Sequence, residues 1–203
     1  LQFEVLALSG DPLLYVVMRR SRVLSVIDTG PGREVARIPT GGDTPLSVAL
    51  TPDERYLFVA NTGGQINTGG QTSDNQVTVI ETATHRVAAT IQVGSSPLDL
   101  AVSPDGRRVY VTNSRSHNIS VLDVNGLREV RKLPVSTARD GPYGIVVSPD
   151  GGRLYVTDID GDQVLVLDAG TGVVQKRIDV VASPRSLAVS SRGDRIFVAG
   201  FDG

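Results

Sequence analysis

Arg108–Val135 reads RVYVTNSRSHNISVLDVNGLREVRKLPV, and 45 residues further on Arg153–Val180 reads RLYVTDIDGDQVLVLDAGTGVVQKRIDV. A chain that repeats itself at a fixed distance builds one supersecondary unit several times, and that unit decides the fold. Aligned on the aromatic of the Tyr/Phe-Val pair, the copies fall at Tyr15, Phe58, Tyr110, Tyr155 and Phe197, in steps of 43, 52, 45 and 42 residues. Other landmarks keep phase. Pro45, Pro97, Pro142 and Pro184 open successive units, and turns follow at Thr51-Pro52-Asp53, Ser103-Pro104-Asp105 and Ser148-Pro149-Asp150. The next copy, Ser190-Ser191-Arg192-Gly193, has lost the proline, and an acid closes the third segment at Asp28, Glu81, Asp123 and Asp168.

Each period holds four short runs rich in Val, Ile and Leu. In one unit these are 98–102, 108–112, 118–123 and 129–133. Runs of five or six residues between turn signals read as strands, since helices need ten or more. Proline presets φ in the turn Ser103-Pro104-Asp105-Gly106, and the glycine accepts positive φ. Four antiparallel strands per 40–45 residues mark a propeller blade, whose faces are buried only by stacking on neighbouring blades. The predicted fold is therefore all-β: a single β-propeller domain over 1–203. Its blades lie at 2–39, 45–92, 97–135 and 142–180, with a half blade at 184–199. An open arc would leave exposed edges and an uncovered blade face, and a closed four-blade ring would leave the last two strands without a role. The reading is of part of a larger ring, completed by further residues or by another chain. The start at Leu1, without Met or a signal-peptide pattern, fits a cleaved chain or a piece of a longer one.

The bulk numbers exclude several classes. With 20 basic and 22 acidic residues and a net charge of −2, nothing argues for a nucleic-acid partner. The absence of Cys removes disulfides, thiolate metal sites and Cys nucleophiles. No apolar run approaches the roughly 20 residues of a membrane span.

Tyr110-Val111-Thr112-Asn113, with Tyr155-Val156-Thr157-Asp158 and Phe58-Val59-Ala60-Asn61 as close variants, resembles the bacterial and archaeal YVTN β-propeller repeat family. Val26-Ile27-Asp28-Thr29, Val121-Leu122-Asp123 and the stretch from Pro97 to Gly106 match the same consensus. The resemblance covers nearly the whole chain, and it implies a ring of about seven blades, which at this period takes roughly 300 residues. It implies kinship with cell-surface, surface-layer and secreted binding proteins and with relatives of lactonase and heme-d1 propellers, and hence an extracytoplasmic site of action.

Numbering strands outwards from the axis, the loops between strands two and three share a rim with the links between blades, and loops on a rigid scaffold concentrate recognition. Four groups of residues stand out. The 61–75 loop, NTGGQINTGGQTSDN, is nine residues longer than its counterpart in the next unit; Gln65, Asn67 and Asp74 are its binding candidates, against a plain solvated hairpin tip. Next to the axis, Tyr143 and Arg185 suit a polar, partly aromatic mouth, joined by Arg139, Asp140 and Asp99, against simple packing on neighbouring blades. Asp158, Asp160 and Asp162 alternate as Ca²⁺ ligands do, but Gln163 and Ala169 stand where an EF-hand has its Gly and Glu, so a turn competes. His85 and His117 occupy different strand positions of adjacent units and make no zinc or heme pair. No cofactor is expected beyond that Ca²⁺ alternative.

No Ser/His/Asp set and no phosphate-binding glycine loop is legible. The first functional expectation is a non-enzymatic scaffold that recognises a protein or cell-surface partner through rim loops. The alternatives are a lactonase-like hydrolase or lyase, drawing on Asp99, Asp140 or Asp158 with residues from other blades, and an accessory subunit of a periplasmic redox assembly.

Overall fold

The computed structural model describes residues 5–7 (backbone only), 13–18, 21–63, 75–135, 141–180 and 182–201. Strands β1 (Val5–Ala7), β2 (Leu13–Met18), β3 (Val23–Asp28) and β4 (Arg33–Pro39) form one four-stranded antiparallel sheet in chain order. The next two sheets are β5 (Pro45–Leu50), β6 (Tyr56–Asn61), β7 (Gln76–Glu81) and β8 (Arg86–Gln92), then β9 (Pro97–Val102), β10 (Arg108–Asn113), β11 (Asn118–Asp123) and β12 (Arg128–Pro134). The fourth is β13 (Pro142–Val147), β14 (Arg153–Asp158), β15 (Gln163–Asp168) and β16 (Val174–Asp179), and β17 (Pro184–Val189) pairs with β18 (Ile196–Gly200) as a two-stranded remainder. The one helical turn among the described residues is a 3₁₀ turn at Ser114–Ser116.

Successive first strands lie side by side, β5 on β9, β9 on β13 and β13 on β17, so they are the inner strands of a partial β-propeller. The core lies between the sheets. Tyr15, Val17, Leu24 and Val26 of the first face Val48, Leu57, Val59 and Ile80 of the second. Phe58, Val77 and Val79 meet Val109, Val111 and Leu122 of the third, and Tyr110, Ile119 and Val121 meet Leu154, Val156, Leu165 and Leu167 of the fourth. Period-two alternation sends alternate side chains of each middle strand to the two neighbouring blades, which is why strands two and three read as unbroken apolar runs.

The repeated polar landmarks are turn fasteners. Ser103 Oγ donates to Asp105, the Arg107 amide donates to the same carboxylate at 3.0 Å, and the Arg108 amide donates to Ser103 Oγ at 2.9 Å. Thr51/Asp53 and Ser148/Asp150 repeat the arrangement. Where the proline is lost, Asp194 supplies the carboxylate to Ser190 at 2.7 Å. These turns stack around their rim: Pro52, Pro104 and Pro149 lie against Gly106, Gly151 and Gly193 of the following unit, within 3.2–3.8 Å of where a β-carbon would stand. The closing acids cap the outer hairpins, as Asp28 does for the Gly30 amide, Asp123 for Gly126 and Asp168 for Thr171.

Every fourth strand carries a one-residue bulge, at Val35, Ala88, Val130 and Gln175. A bulge breaks the ladder of an outer strand and spoils it as a template for pairing.

Candidate functional site

The residue after each opening proline is itself bulged. Pro45 pairs with Asn61 and Ser47 with Ala60, leaving Leu46 out of the ladder; Leu98 and Arg185 are left out in the same way, and Tyr143 and Gly144 together face Thr157. A bulge re-aims a side chain away from the sheet. Leu46, Leu98, Tyr143 and Arg185 therefore form a set at the rim end of the inner strands, two apolar and two polar.

The polar pair is brought together. The Arg185 guanidinium carbon lies 5.6 Å from the centroid of the Tyr143 ring and 4.7 Å from that of Phe201. Ring faces attract the cation without consuming its N–H donors. Arg185 Nε is buried and has no hydrogen-bond acceptor among the described residues. A guanidinium held by rings, with its Nε–H lacking an acceptor among the described residues, can take a planar anion such as a carboxylate.

The backbone beneath this pair is pinned by the Thr of the repeat motif. Thr112 Oγ1 donates to the Tyr143 carbonyl at 2.5 Å, and Thr157 Oγ1 donates to the Arg185 carbonyl at 3.3 Å. Each threonine thus fastens the mouth residue of the following unit. Gly144 allows the approach: a β-carbon there would stand 2.3 Å from the Arg185 carbonyl oxygen. Its amide donates to Thr157 Oγ1 at 2.7 Å.

Asp99, in the same set of inner strands, spans three sheets. Its Oδ1 accepts from Ser47 Oγ at 2.7 Å and from the Leu100 amide at 2.9 Å, and its Oδ2 accepts from the Ile145 amide at 2.9 Å. Burial raises its pKa above the ordinary 3.8, opposed by the Ser47 hydroxyl and the Ile145 and Leu100 amides. Both carboxylate oxygens are engaged, so Asp99 serves the joint between sheets.

The remaining candidates are placed as follows. Asp158 is buried, with Gly161 folded against its carboxylate. Asp162 is exposed and accepts from the Ser183 amide at 2.8 Å, as Asn75 does from the Ser96 amide at 3.1 Å. Ser96 and Ser183 both precede an opening proline and have positive φ, 56° and 51°. Asp162 is therefore a fastener of the link, and among the described residues no three His, Asp or Glu side chains gather as a cation cage. His85 and His117 sit at positive-φ hairpin positions, and His85 packs edge-on to Tyr15 with centroids 6.3 Å apart. Neither lies at the mouth. Gln65, Asn67, Asp74, Arg139 and Asp140 lie outside the described residues.

The sequence reading missed Phe201, Thr112, Thr157, Ser47 and Gly144. Gly144 had a signal, since it stands where the other inner strands carry Ser47, Asp99 and Ser186. A cavity of about 530 Å³ between the fourth sheet and the β17–β18 pair lies away from the mouth and is lined by Tyr155, Val164, Val166, Ile178, Ile196 and Val198 among others.

The profile of the Cytochrome D1 heme domain matches residues 9–142. Among curated proteins, NirF of Stutzerimonas stutzeri is 28% identical over 66% of this chain and 31% of its own length. The dihydro-heme d1 dehydrogenase of Pseudomonas aeruginosa is 28% identical over 64% of this chain and 24% of its own, and antigen Lp49 of Leptospira interrogans is 34% identical over 41% and 19%. The chain thus spans a third or less of the length of these relatives. Among solved structures, hydrazine synthase of Kuenenia stuttgartiensis superposes with a TM-score of 0.77 at 23% identity, over 92% of this chain and 52% of that one. A protein of unknown function from Desulfotomaculum acetoxidans does so with a TM-score of 0.78 at 18% identity, over 98% and 62%. These two likenesses show the fold alone.

Proposed function

The chain belongs to the Cytochrome D1 heme domain family, and on that premise we propose that it forms part of an extracytoplasmic propeller that binds a carboxylated tetrapyrrole of the heme d1 class at its axial mouth. The binding serves the making or the use of that group. The family match, with a dihydro-heme d1 dehydrogenase among the relatives, supports the ligand class and favours a redox-associated role over a scaffold without a ligand. The match stops at Pro142, so the ligand's place rests on geometry. The observation that carries it is Arg185, whose guanidinium lies against two aromatic rings and whose buried Nε has no acceptor among the described residues.

The residues present fit one part of such a group. Arg185 would hold a carboxylate, and the faces of Tyr143 and Phe201 suit the edge of a planar macrocycle. The axial iron ligand does not fit, since neither histidine among the described residues is at the mouth. When bound, the iron of such a group supplies its redox chemistry; this chain's residues anchor its periphery.

The test is equilibrium titration with a dicarboxylate porphyrin, with and without iron, followed by absorbance. Both forms are expected to bind with similar affinity. Arg185→Gln is expected to weaken both by about tenfold or more, the loss of one charge-assisted hydrogen bond. Failure of the wild-type protein to bind either form overturns the reading.

A second reading keeps the first expectation, a surface scaffold of the YVTN type; the antigen among the relatives favours it. Its signature is capture of a protein partner that is lost when residues 63–73 are deleted and unaffected by Arg185→Gln.

A further inference from the structure

The sequence has six asparagines, and Asn125 is the one that a glycine follows. It stands in the β11–β12 hairpin two residues after the closing acid Asp123, where the other units carry Gly30, Ala83 and Gly170. Asn125 and Gly126 are both exposed. The other asparagines among the described residues are tied down. Asn61 and Asn113 are 0% exposed, and their carboxamides donate to Thr78 Oγ1 at 2.9 Å and to Ser120 Oγ at 2.8 Å. Asn118 donates to the Ser116 carbonyl at 3.0 Å, and Asn75 accepts from the Ser96 amide at 3.1 Å. Asn125 is thus a carboxamide in solvent beside a nitrogen that no side chain crowds, in a main chain that glycine leaves free to turn. The same nitrogen carries a restraint. The Gly126 amide donates to Asp123 Oδ2 at 2.8 Å, and Arg108 pairs with Oδ1 of that carboxylate.

We propose that Asn125 is a modification site, converted by deamidation through its own neighbour, and that Asp123 sets the rate. The Gly126 nitrogen gives up its proton to a solvent base and bonds to Asn125 Cγ. The Cγ–Nδ2 bond breaks, and the side-chain nitrogen leaves as ammonia. The five-membered imide so formed takes up one water. Opening at Cγ gives aspartate, and opening at the main-chain carbonyl gives isoaspartate. Water enters, ammonia departs, and nothing is oxidised or reduced. Asp123 opposes the first step in two ways. Its negative charge disfavours a second negative centre on the adjacent nitrogen, and its charge-assisted hydrogen bond holds the proton that must leave. Either product adds one negative charge beside Asp123 to a chain of net charge −2. Isoaspartate also lengthens the main chain inside a hairpin whose ladder pairs Asp123 with Arg128. The site is independent of the ligand proposed for the mouth.

The test incubates the 203-residue protein in warm neutral buffer made with heavy-oxygen water and maps its peptides by mass spectrometry. One heavy oxygen is expected at position 125, with isoaspartate the larger share, while Asn61, Asn75, Asn113 and Asn118 stay unchanged. A synthetic peptide of residues 119–130 gives the unrestrained rate, and the folded protein is expected to convert severalfold more slowly. Gly126→Ala is expected to slow conversion at least tenfold. Asp123→Asn keeps an acceptor but loses the charge, and is expected to speed the folded protein severalfold and to match wild type in urea. Arg108→Gln breaks the same ion pair but leaves the charge, and is expected to stay within twofold, which separates the charge from a loosened hairpin. A wild-type protein without product after ten half-lives of the peptide overturns the site. Equal folded rates for wild type and Asp123→Asn, a difference that persists in urea, or a severalfold gain in Arg108→Gln overturns the part given to Asp123.

Discussion

The seam between the first and second sheets and the seams around the fourth are built differently. The core of the first is apolar, Tyr15, Val17, Leu24 and Val26 against Val48, Leu57, Val59 and Ile80. At the motif position held by Thr112 and Thr157 in the third and fourth sheets stand Val17 and Ala60, and the mouth residues that follow are Leu46 and Leu98. Around the fourth sheet, Thr112 and Thr157 reach across to the carbonyls of Tyr143 and Arg185. The difference teaches a division of labour. Packing alone sets the spacing of blades, because close-packed faces accept few alternatives. Directional hydrogen bonds appear where a polar side chain must be held in one place at the mouth.

That contrast can be broken most severely at Gly144. Gly144→Ala drives a methyl group into the Arg185 carbonyl and is expected to destabilise the protein by about 3 kcal/mol. Ser186→Gly, at the equivalent position, is expected to change it by less than about 1 kcal/mol; urea unfolding measures both. Next comes Asp99→Ala, which strands the Ser47 hydroxyl and the Leu100 and Ile145 amides and is expected to cost about 2 kcal/mol. Equal stability of this variant and wild type would show that the three inner strands do not depend on the carboxylate. Thr157→Val and Thr112→Val are expected to cost about 1 kcal/mol each, and Thr157→Val to weaken porphyrin binding severalfold where Thr112→Val leaves it nearly unchanged.

The smallest effect is on pH dependence. Asp53, Asp105 and Asp150 are held below the ordinary 3.8, first by the Ser or Thr hydroxyl of the turn and then by a backbone amide. A lowered folded pKa gives stability that is present above 3.8 and lost as pH falls through the folded values. Asp99 runs the other way: its raised pKa gives a contribution present below 3.8 and lost as pH rises through its folded value. The denaturation midpoint is therefore expected to fall on acidification below about pH 4, and less steeply in the triple Asp53→Asn, Asp105→Asn, Asp150→Asn variant.

The strands, their order and the radial stacking were legible because each rests on local pattern: period-two runs, proline turns and an aromatic recurring at near-constant spacing. Tyr143 and Arg185 were legible as neighbours for the same reason, since the repeat puts them at one position of adjacent units. Four things were hidden. The bulges after the opening prolines are a property of two strands together, and no single strand shows them. The task of Asp99 depends on Ser47 and Ile145, each more than 40 residues away. Asp162 reads as part of a turn or of a cation loop, and neither reading shows that its partner is the amide of Ser183 in the next link. Phe201 follows the last motif and carries no repeat signal at all.

The stacking of proline on the next unit's glycine at the turn rim gives the wheel a back that tolerates no added length. An extra residue in any of those turns would lift one spoke out of step with both neighbours. Growth is thus steered to the opposite side, where links and hairpin tips already differ in size. Anyone wishing to graft an epitope, a tag or a new recognition loop onto this scaffold has one side to work on, and it is the side that carries Tyr143 and Arg185.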